Sequence, residues 1–226
     1  MEKYLELLKE SEWFVGIAQE DILFLIDCFK AGRKTYQAGD YINIATDYIH
    51  EVGFILEGRI HMISEDFWGK KFILTEYSAG AIFGEAHSLT PSEPLLFSIV
   101  AVEKTEVLYF DMNKVIAPCG RSCACHQQLF QNLLRIIARK KIYFLHKIEH
   151  MSRKMLREKI ISYLSEQSKK SRSSAFDIPY NRQQMADYLG VDRSAMSAEL
   201  SKMQKEGLIA YRFNHFELRR EYWPSQ

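Results

Sequence analysis

Residues 126–151 contain neither glycine nor proline, the two residues that most often interrupt a helix. Apolar side chains recur there at helical spacing, and further apolar residues flank that stripe. At 1.5 Å per residue the segment gives a helix about 40 Å long. A stripe this wide predicts packing on the chain's own domain along one side and on a second copy along the other, with a core helix of a monomer as the alternative. The residues assigned to the dimer interface are Phe130, Leu133, Ile137, Phe144 and Ile148.

The segment before this helix has a different composition. Residues 33–110 are rich in β-branched and aromatic side chains and carry turn signals about every ten residues. Strands this short must reverse direction, which predicts an antiparallel sandwich or barrel. Two short amphipathic helices, over residues 1–9 and 19–29, are predicted in front of it.

Two short helices are predicted after the long one, joined by a tight turn. Asn181 and Gln184 have the spacing of a capping box, and Gly190 suits the left-handed end of the first helix. Asp192 caps the second helix, which ends at Gly207. This is the pattern of a helix-turn-helix. The residues predicted to be buried are Met185, Ala186 and Leu189 in the first helix and Met196, Leu200 and Met203 in the second.

The opposite face of the second helix carries short polar side chains and one arginine in its first turn. Small hydroxyl groups let a helix backbone approach a groove closely, and the first turn is where a helix in the major groove contacts bases. Residues 208–218 alternate around Asn214-His215 and predict a two-stranded wing. The polar tract 166–174 is predicted to be an exposed loop. The predicted DNA-binding residues are Arg193, Ser194, Ser197, Ser201, Gln204, Arg182 and Arg212.

Charge is divided unequally along the chain. Residues 1–149 carry 16 Lys and Arg against 20 Asp and Glu, whereas residues 150–226 carry 14 against 9. A basic last third predicts contact with a polyanion there. The apolar runs are too short to span a bilayer, which predicts a protein without membrane contact. Four cysteines are too few for a disulfide scaffold, so we expect a cytoplasmic protein.

Three of the cysteines are crowded together just before the long helix. Cys119, Cys123 and Cys125, followed by His126, could bind a metal or act as a redox switch. Their spacing matches no common zinc or iron–sulfur motif, so small buried packing residues are the alternative. The sequence assigns no cofactor. Its scattered histidines and the lack of a Gly-rich phosphate loop argue against an enzyme.

The chain resembles a known family at several places. Residues 189–200, Leu-Gly-Val-Asp-Arg-Ser-Ala-Met-Ser-Ala-Glu-Leu, resemble the winged helix-turn-helix of the bacterial cyclic-AMP receptor protein and fumarate-nitrate regulator (CRP/FNR) family. Residues 38–42, 54–60 and 80–85 resemble turns of that family's cyclic-nucleotide-binding-like jelly roll. The resemblance implies an α+β chain with a sensor jelly roll over residues 1–125, a dimerisation helix over 126–150 and a winged helix-turn-helix over 151–226.

That resemblance also implies a function. It indicates a homodimeric transcription regulator that binds a roughly palindromic operator in double-stranded DNA, and an activator of this kind would also contact RNA polymerase. Ser194 and Ala198 stand where many members have Glu and Arg, so the operator sequence cannot be transferred. The alternative is a redox- or metal-binding protein whose helix-turn-helix docks another protein.

The resemblance locates a sensor pocket but argues against cyclic AMP as its ligand. Members that bind cyclic nucleotides follow their Gly-Glu pair with an Arg-Ser or Arg-Thr pair that holds the phosphate. At that distance from Gly84 this chain has Leu95-Leu96, and a phosphate buried without a counter-charge would cost several kcal/mol. An apolar effector, or packed leucines with no ligand, fits better. The predicted pocket residues are Gly84, Glu85, His87, Leu95, Leu96 and Phe97.

Overall fold

The computed structural model describes residues 1–69, 71–117 and 123–219. The chain divides into two compact units, Met1–Lys140 and Lys141–Gln226. Within the described ranges, no helix is long and apolar enough to cross a membrane.

The first unit is an antiparallel β sandwich with helices at both ends. Its strands form two four-stranded sheets, in the orders β1-β8-β3-β6 and β2-β7-β4-β5, and every described pair is antiparallel. This confirms the predicted jelly roll. The elements are α1 (Leu5–Glu10), α2 (Gln19–Cys28), β1 (Gly32–Tyr36), β2 (Tyr41–Asn43), β3 (Glu51–Glu57), β4 (Arg59–Glu65), β5 (Lys71–Ser78), β6 (Ile82–Phe83), α3 (Glu85–Leu89), β7 (Ser98–Ala101), β8 (Thr105–Asp111) and α4 (Met112–Ile116).

Strand β3 joins two apolar cores because both of its faces are buried. Successive side chains point to opposite faces of a strand, so Phe54 packs with Trp13 and Phe110 outside the sandwich while Ile55 packs with Val107 inside it. Each side chain of this size stabilises the fold by about 1.5–3 kcal/mol when fully buried. The two cores therefore hold the N-terminal helices to the sandwich as well as closing it.

Helix α5 spans Ala124–Met151, in agreement with the long helix predicted from the sequence. Its first half belongs to the first unit, where Leu129 and Leu133 are fully buried. Asn132 on the same face donates hydrogen bonds to the backbone carbonyls of Trp13 and Val15 at 2.9 and 2.8 Å. Leu133 therefore lies in this unit's core, which corrects its assignment to the dimer surface.

Up to residue 219, where the described part of the chain ends, the second unit contains three helices and a small sheet in addition to the end of α5. Helix α6 (Leu156–Ser171) extends into the tract predicted to be a loop, which corrects that prediction. The tract lacks apolar residues because it forms the exposed end of a helix, where Glu166 pairs with Lys170 one turn later. The remaining elements are β9 (Ala175–Asp177), α7 (Arg182–Leu189), α8 (Arg193–Lys205), β10 (Ile209–Arg212) and β11 (His215–Leu218), with the sheet order β10-β11-β9.

Candidate nucleic-acid interface

Both predicted capping motifs of the helix-turn-helix are formed. The Asn181 side chain accepts a hydrogen bond from the Gln184 amide at 2.9 Å, and the Gln184 side chain accepts one from the Asn181 amide at 3.0 Å. Asp192 accepts from the Ala195 amide at 2.8 Å and begins α8. These bonds satisfy backbone donors that have no partner within the helix itself, so the sequence fixes where α7 and α8 start.

The turn between α7 and α8 depends on Gly190. Its φ of +63° lies in the left-handed region, and a Cβ there would approach the Met151 methyl group to 2.8 Å. Any larger residue would be strained by this backbone conformation, and the flexible end of the Met151 side chain would have to move. The tight turn follows from this single residue.

Helix α8 buries one face and exposes the other, as its periodicity predicts. Met196, Leu200 and Met203 are fully buried. The opposite face therefore points to solvent, with Arg193, Ser194, Ser201 and Gln204 exposed and Ser197 half-buried. This face is long enough for three turns of contact and carries no apolar side chain at the predicted contact positions.

Two serine hydroxyl groups on this face form hydrogen bonds within the helix and its cap, whereas the Arg193 side chain does not. Ser194 donates to the Asp192 carboxylate at 2.5 Å, and Ser201 donates to the Ser197 carbonyl at 2.9 Å. The Ser194 hydrogen bond, followed by the Ala195 amide, lowers the pKa of Asp192 and keeps the cap charged. Across the described residues, Arg193 makes no hydrogen bond or ion pair, so its guanidinium is available to a ligand.

Arg182 lies under the wing formed by β10 and β11. Its guanidinium donates to the Phe213 carbonyl at 2.8 Å and lies over the rings of Tyr211 and Phe216, at 4.8 and 5.0 Å from their centroids. Burial lowers the pKa of Arg182. The structure therefore places this predicted DNA-binding residue where it connects α7 to the wing, while Arg212 on β10 is exposed.

The wing itself turns one residue earlier than the sequence predicts. Arg212 pairs with His215 across the hairpin, so the turn consists of Phe213 and Asn214, and His215 belongs to β11. Strand β9 pairs with β11, so the predicted two-stranded wing is part of a three-stranded sheet.

Sequence reasoning missed the ion-pair cluster that holds α8 in place. Arg157 on α6 donates to Glu199 at 2.5 Å and to both carboxylate oxygens of Glu206 at 2.7 and 3.1 Å. The Glu206 hydrogen bonds, followed by that of Glu199, raise the pKa of Arg157. The partners lie 42 and 49 residues from Arg157, so no local sequence signal indicates the pairing.

In the first unit, the acidic residue of the predicted sensor pocket already has a partner. Glu85 is buried at the start of α3, and Lys140 donates to its carboxylate and to the Ile82 carbonyl, both at 2.8 Å. Gly84 precedes it with φ +79°. The structure thus joins the Gly84-Glu85 turn to α5 through one ion pair.

The other predicted pocket residues do not all face the sandwich interior. Leu95 is buried, but Leu96, in the bend that follows it, is 80% exposed. This corrects the placement of Leu96 in the pocket. The Phe97 ring lies 5.4 Å from that of His87 and packs on the interior core.

The sandwich interior is strongly aromatic. The hydroxyl groups of Tyr36 and Tyr109 lie 2.9 Å apart and share a hydrogen bond, and burial followed by that bond raises the pKa of Tyr109. The Phe83 ring occupies the space beside Gly53, where a Cβ would meet its Cζ at 2.3 Å. This interior suits aromatic or apolar surfaces better than a phosphate.

Cys119 lies outside the described residues. Burial, followed by a hydrogen bond with Cys123, raises the pKa of Cys125 to about 11. His126 is buried, and its Nε2 donates a hydrogen bond to the Val115 carbonyl at 2.7 Å. Among the residues that the structure describes, no three His, Cys, Asp or Glu side chains form a group that could hold a metal ion.

Helix α5 leaves a row of apolar side chains uncovered. Leu134, Leu145 and Ile148 are 50%, 55% and 62% exposed and recur at helical spacing. Phe144 is also exposed, whereas Phe130 and Ile137 are half-buried. Sequence reasoning assigned Ile148 and Phe144 to the interface but left Leu134 and Leu145 beside the stripe, because periodicity alone does not say which edge of a wide apolar stripe is covered.

Two family models match the chain. The Crp-like helix-turn-helix domain matches residues 158–221, and the cyclic nucleotide-binding domain matches residues 33–120. The comparison with curated proteins finds no match.

Solved structures show the same fold over most of the chain. The catabolite activator protein of Thermus thermophilus is 21% identical, with 92% of this chain and 94% of that chain covered and a TM-score of 0.50. CprK complexed with OCPA is 16% identical over 86% and 90% of the two chains, with a TM-score of 0.61. The c-di-GMP responsive regulator CLP of Xanthomonas campestris is 18% identical over 89% and 99%, with a TM-score of 0.50.

The cyclic nucleotide-binding domain precedes the helix-turn-helix domain in the chain, and helix α5 lies between the two matched segments. With the helix-turn-helix geometry described above, they show that the chain belongs to the CRP/FNR family of transcription regulators.

Proposed function

We propose that this chain regulates transcription by binding a two-fold symmetric DNA operator through the exposed face of α8. The observation that carries the proposal is the combination of a free Arg193 in the first turn with short hydroxyl side chains along the rest of that face. An arginine can donate two hydrogen bonds to the O6 and N7 of one guanine, and the short side chains let the helix backbone sit deep in the major groove.

A homodimer supplies the two-fold symmetry. The exposed apolar row on α5, Leu134, Leu145 and Ile148, supports pairing with the same row of a second copy, because such rows are otherwise left in contact with water. Each dimer would then present two α8 helices to two half-sites. A chain of this kind works in the cytoplasm, where it meets DNA and, as an activator, RNA polymerase.

The effector of the sensor unit is an apolar or aromatic small molecule rather than cyclic AMP. Three features support this: Leu95-Leu96 stand at the distance from Gly84 where cyclic-nucleotide binders have their phosphate-binding pair, Glu85 is already paired with Lys140, and the interior is lined with aromatic rings. CprK, which shares the fold, was solved in complex with OCPA, and CLP is described as responsive to c-di-GMP, so the fold accommodates different effectors.

The test is selection of bound duplexes from a random-sequence library by the full-length protein. The expected result is an inverted repeat whose half-sites lie about 34 Å apart, one turn of the double helix. A bound pool without any repeat, or affinity that is equal for selected and random duplexes, would contradict specific recognition. The same selection with Arg193→Ala should relax the preference at one position in each half-site.

A further inference from the structure

The tip of the wing carries an unusual residue. Phe213 is the first of the two turn residues between β10 and β11, with φ +51° and 81% of its side chain exposed. Two-residue hairpin turns with positive φ strongly favour Asn, Asp or Gly, because a Cβ is strained there. A phenylalanine at this position therefore strains the backbone and also exposes a large apolar ring to water.

Surrounding groups nevertheless hold this strained tip firmly. Arg182 donates to the Phe213 carbonyl at 2.8 Å, and the Asn214 carbonyl accepts a hydrogen bond from the Ile178 amide at 2.9 Å. The Arg182 guanidinium is in turn packed against Tyr211 and Phe216 at the base of the hairpin. Both tip carbonyls are thus bonded, and the Phe213 ring extends from a rigid support.

The wing also lies beside the exposed face of α8. The Tyr211 hydroxyl on β10 is 3.3 Å from the Ser201 hydroxyl, one of the predicted DNA-contacting groups. The Arg212 guanidinium lies 6.0 Å from the Phe213 ring and is exposed. The wing, which touches α8, thus carries an exposed aromatic ring with a cation next to it. Such a pair fits a polyanion that has apolar surfaces between its charges. Duplex DNA has that chemistry at the edge of its minor groove.

We propose that Phe213 is a wedge that enters the minor groove of the DNA flanking each half-site and partly unstacks one base step, while Arg212 neutralises a nearby phosphate. The proposal rests on the function proposed above. It adds a specificity determinant that needs no base hydrogen bond, because flexible pyrimidine–purine steps unstack at lower cost than other steps. Operators should therefore prefer such a step at the position the wing reaches.

Phe213→Gly is the decisive variant because it separates folding from binding. Glycine adopts positive φ without strain, so this variant should unfold at the same temperature as the unmodified protein or a higher one. Its affinity for the selected operator should fall about tenfold, since the ring is lost. DNA bending, measured by energy transfer between dyes at the duplex ends, should decrease, and Phe213→Leu should retain part of both effects.

Lys30→Gly is the matched control. Lys30 in the first unit also has a positive φ of 51° and is exposed, so its replacement relieves a similar strain without touching the wing. It should leave DNA affinity and bending unchanged.

Two outcomes overturn the wedge, and they differ from failure of the proposed function. If the unmodified protein selects an operator but Phe213→Gly binds and bends it equally well, the wedge is refuted while DNA recognition stands. If that variant loses only an interaction with RNA polymerase, the ring is a protein contact. If the unmodified protein selects no operator at all, the proposed function fails and the wedge fails with it.

Discussion

Lys140 on α5 donates a 2.8 Å hydrogen bond to the carboxylate of Glu85, the residue that begins the short helix α3 of the sensor unit. The side chains are 22% and 9% exposed, so the pair is largely removed from water. Lys140 also lies over the Tyr77 ring, 4.5 Å from its centroid, and bonds the Ile82 carbonyl. One lysine thus connects the helix to three elements of the sandwich.

Removing this lysine should destabilise the first unit. Lys140→Met keeps the stem but leaves Glu85 buried without its counter-charge, so we expect the free energy of unfolding to fall by about 2–4 kcal/mol. The double variant Lys140→Met, Glu85→Leu should recover part of that loss because no charge is left unpaired. Denaturant titration of the three proteins measures both effects.

Arg139→Met is the matched control for this experiment. Arg139 is the preceding residue and pairs with Glu12, but the two side chains are 59% and 60% exposed. An exposed pair contributes little, so the loss should stay below about 1 kcal/mol. Equal losses for Arg139→Met and Lys140→Met would show that burial of Glu85 is unimportant.

Arg193→Ala tests whether α8 reads a base of the operator. Loss of two hydrogen bonds to one guanine should weaken binding to the selected operator by about 1–3 kcal/mol, with less effect on random duplexes. Fluorescence anisotropy at several salt concentrations measures both affinities. If the two affinities fall equally and the salt dependence also decreases, Arg193 contacts phosphate instead.

The structure and the sequence agree best where the determinants are local. The caps at Asn181 and Asp192 and the left-handed end at Gly190 each depend on residues within one helical turn, so the helix-turn-helix is predictable from the sequence. The jelly roll is predictable for a similar reason, because regularly spaced turns require antiparallel strands.

Pairings between distant residues could not be predicted in this way. Glu85 and Lys140 are separated by 55 residues, and nothing in either segment indicates the other. The side to which Leu96 and Leu133 point also escaped sequence reasoning, because apolar character alone does not say whether the chain's own core covers a residue of a bend or of a wide helical stripe. The wing turn was misplaced for a third reason: Asn214 fits a turn better than Phe213 does, but Phe213 has the positive φ.

The dimer should depend on the exposed row of α5. Leu145→Glu or Ile148→Glu places a charge in an apolar seam, so we expect monomers with weak operator binding and nearly unchanged stability of each unit. Sedimentation velocity at micromolar concentration measures the mass. Leu133→Ala is the contrasting variant, since it opens a cavity in the first unit's core and should cost about 2–5 kcal/mol of stability. Dimers of normal mass in both Glu variants would place the interface elsewhere.

The thiol of Cys125 should be slow to react. Its pKa of about 11 lies above the ordinary value of 9.0, so below pH 9 the fold favours the protonated form, and this contribution to stability is lost as the pH rises through 11. Iodoacetamide at pH 8 should therefore label the exposed Cys28 well before Cys125, as mass spectrometry of the peptides can measure. Faster labelling of Cys125 would instead indicate an activated thiolate and favour a redox role.

Cyclic AMP should have no effect on this protein. A ligand shifts a conformational equilibrium only through its different affinities for the two states. By the count from Gly84, Leu95-Leu96 stand where cyclic-nucleotide binders have their phosphate-binding pair, and two leucines supply no counter-charge for the phosphate. Adding millimolar cyclic AMP should change neither the unfolding temperature nor the operator affinity. A neutral aromatic or apolar small molecule, screened in the same way, should raise the unfolding temperature if it enters the sandwich interior. A clear rise with cyclic AMP would mean that the phosphate is held elsewhere than at Leu95, and Lys140→Met would then show whether that lysine supplies the charge.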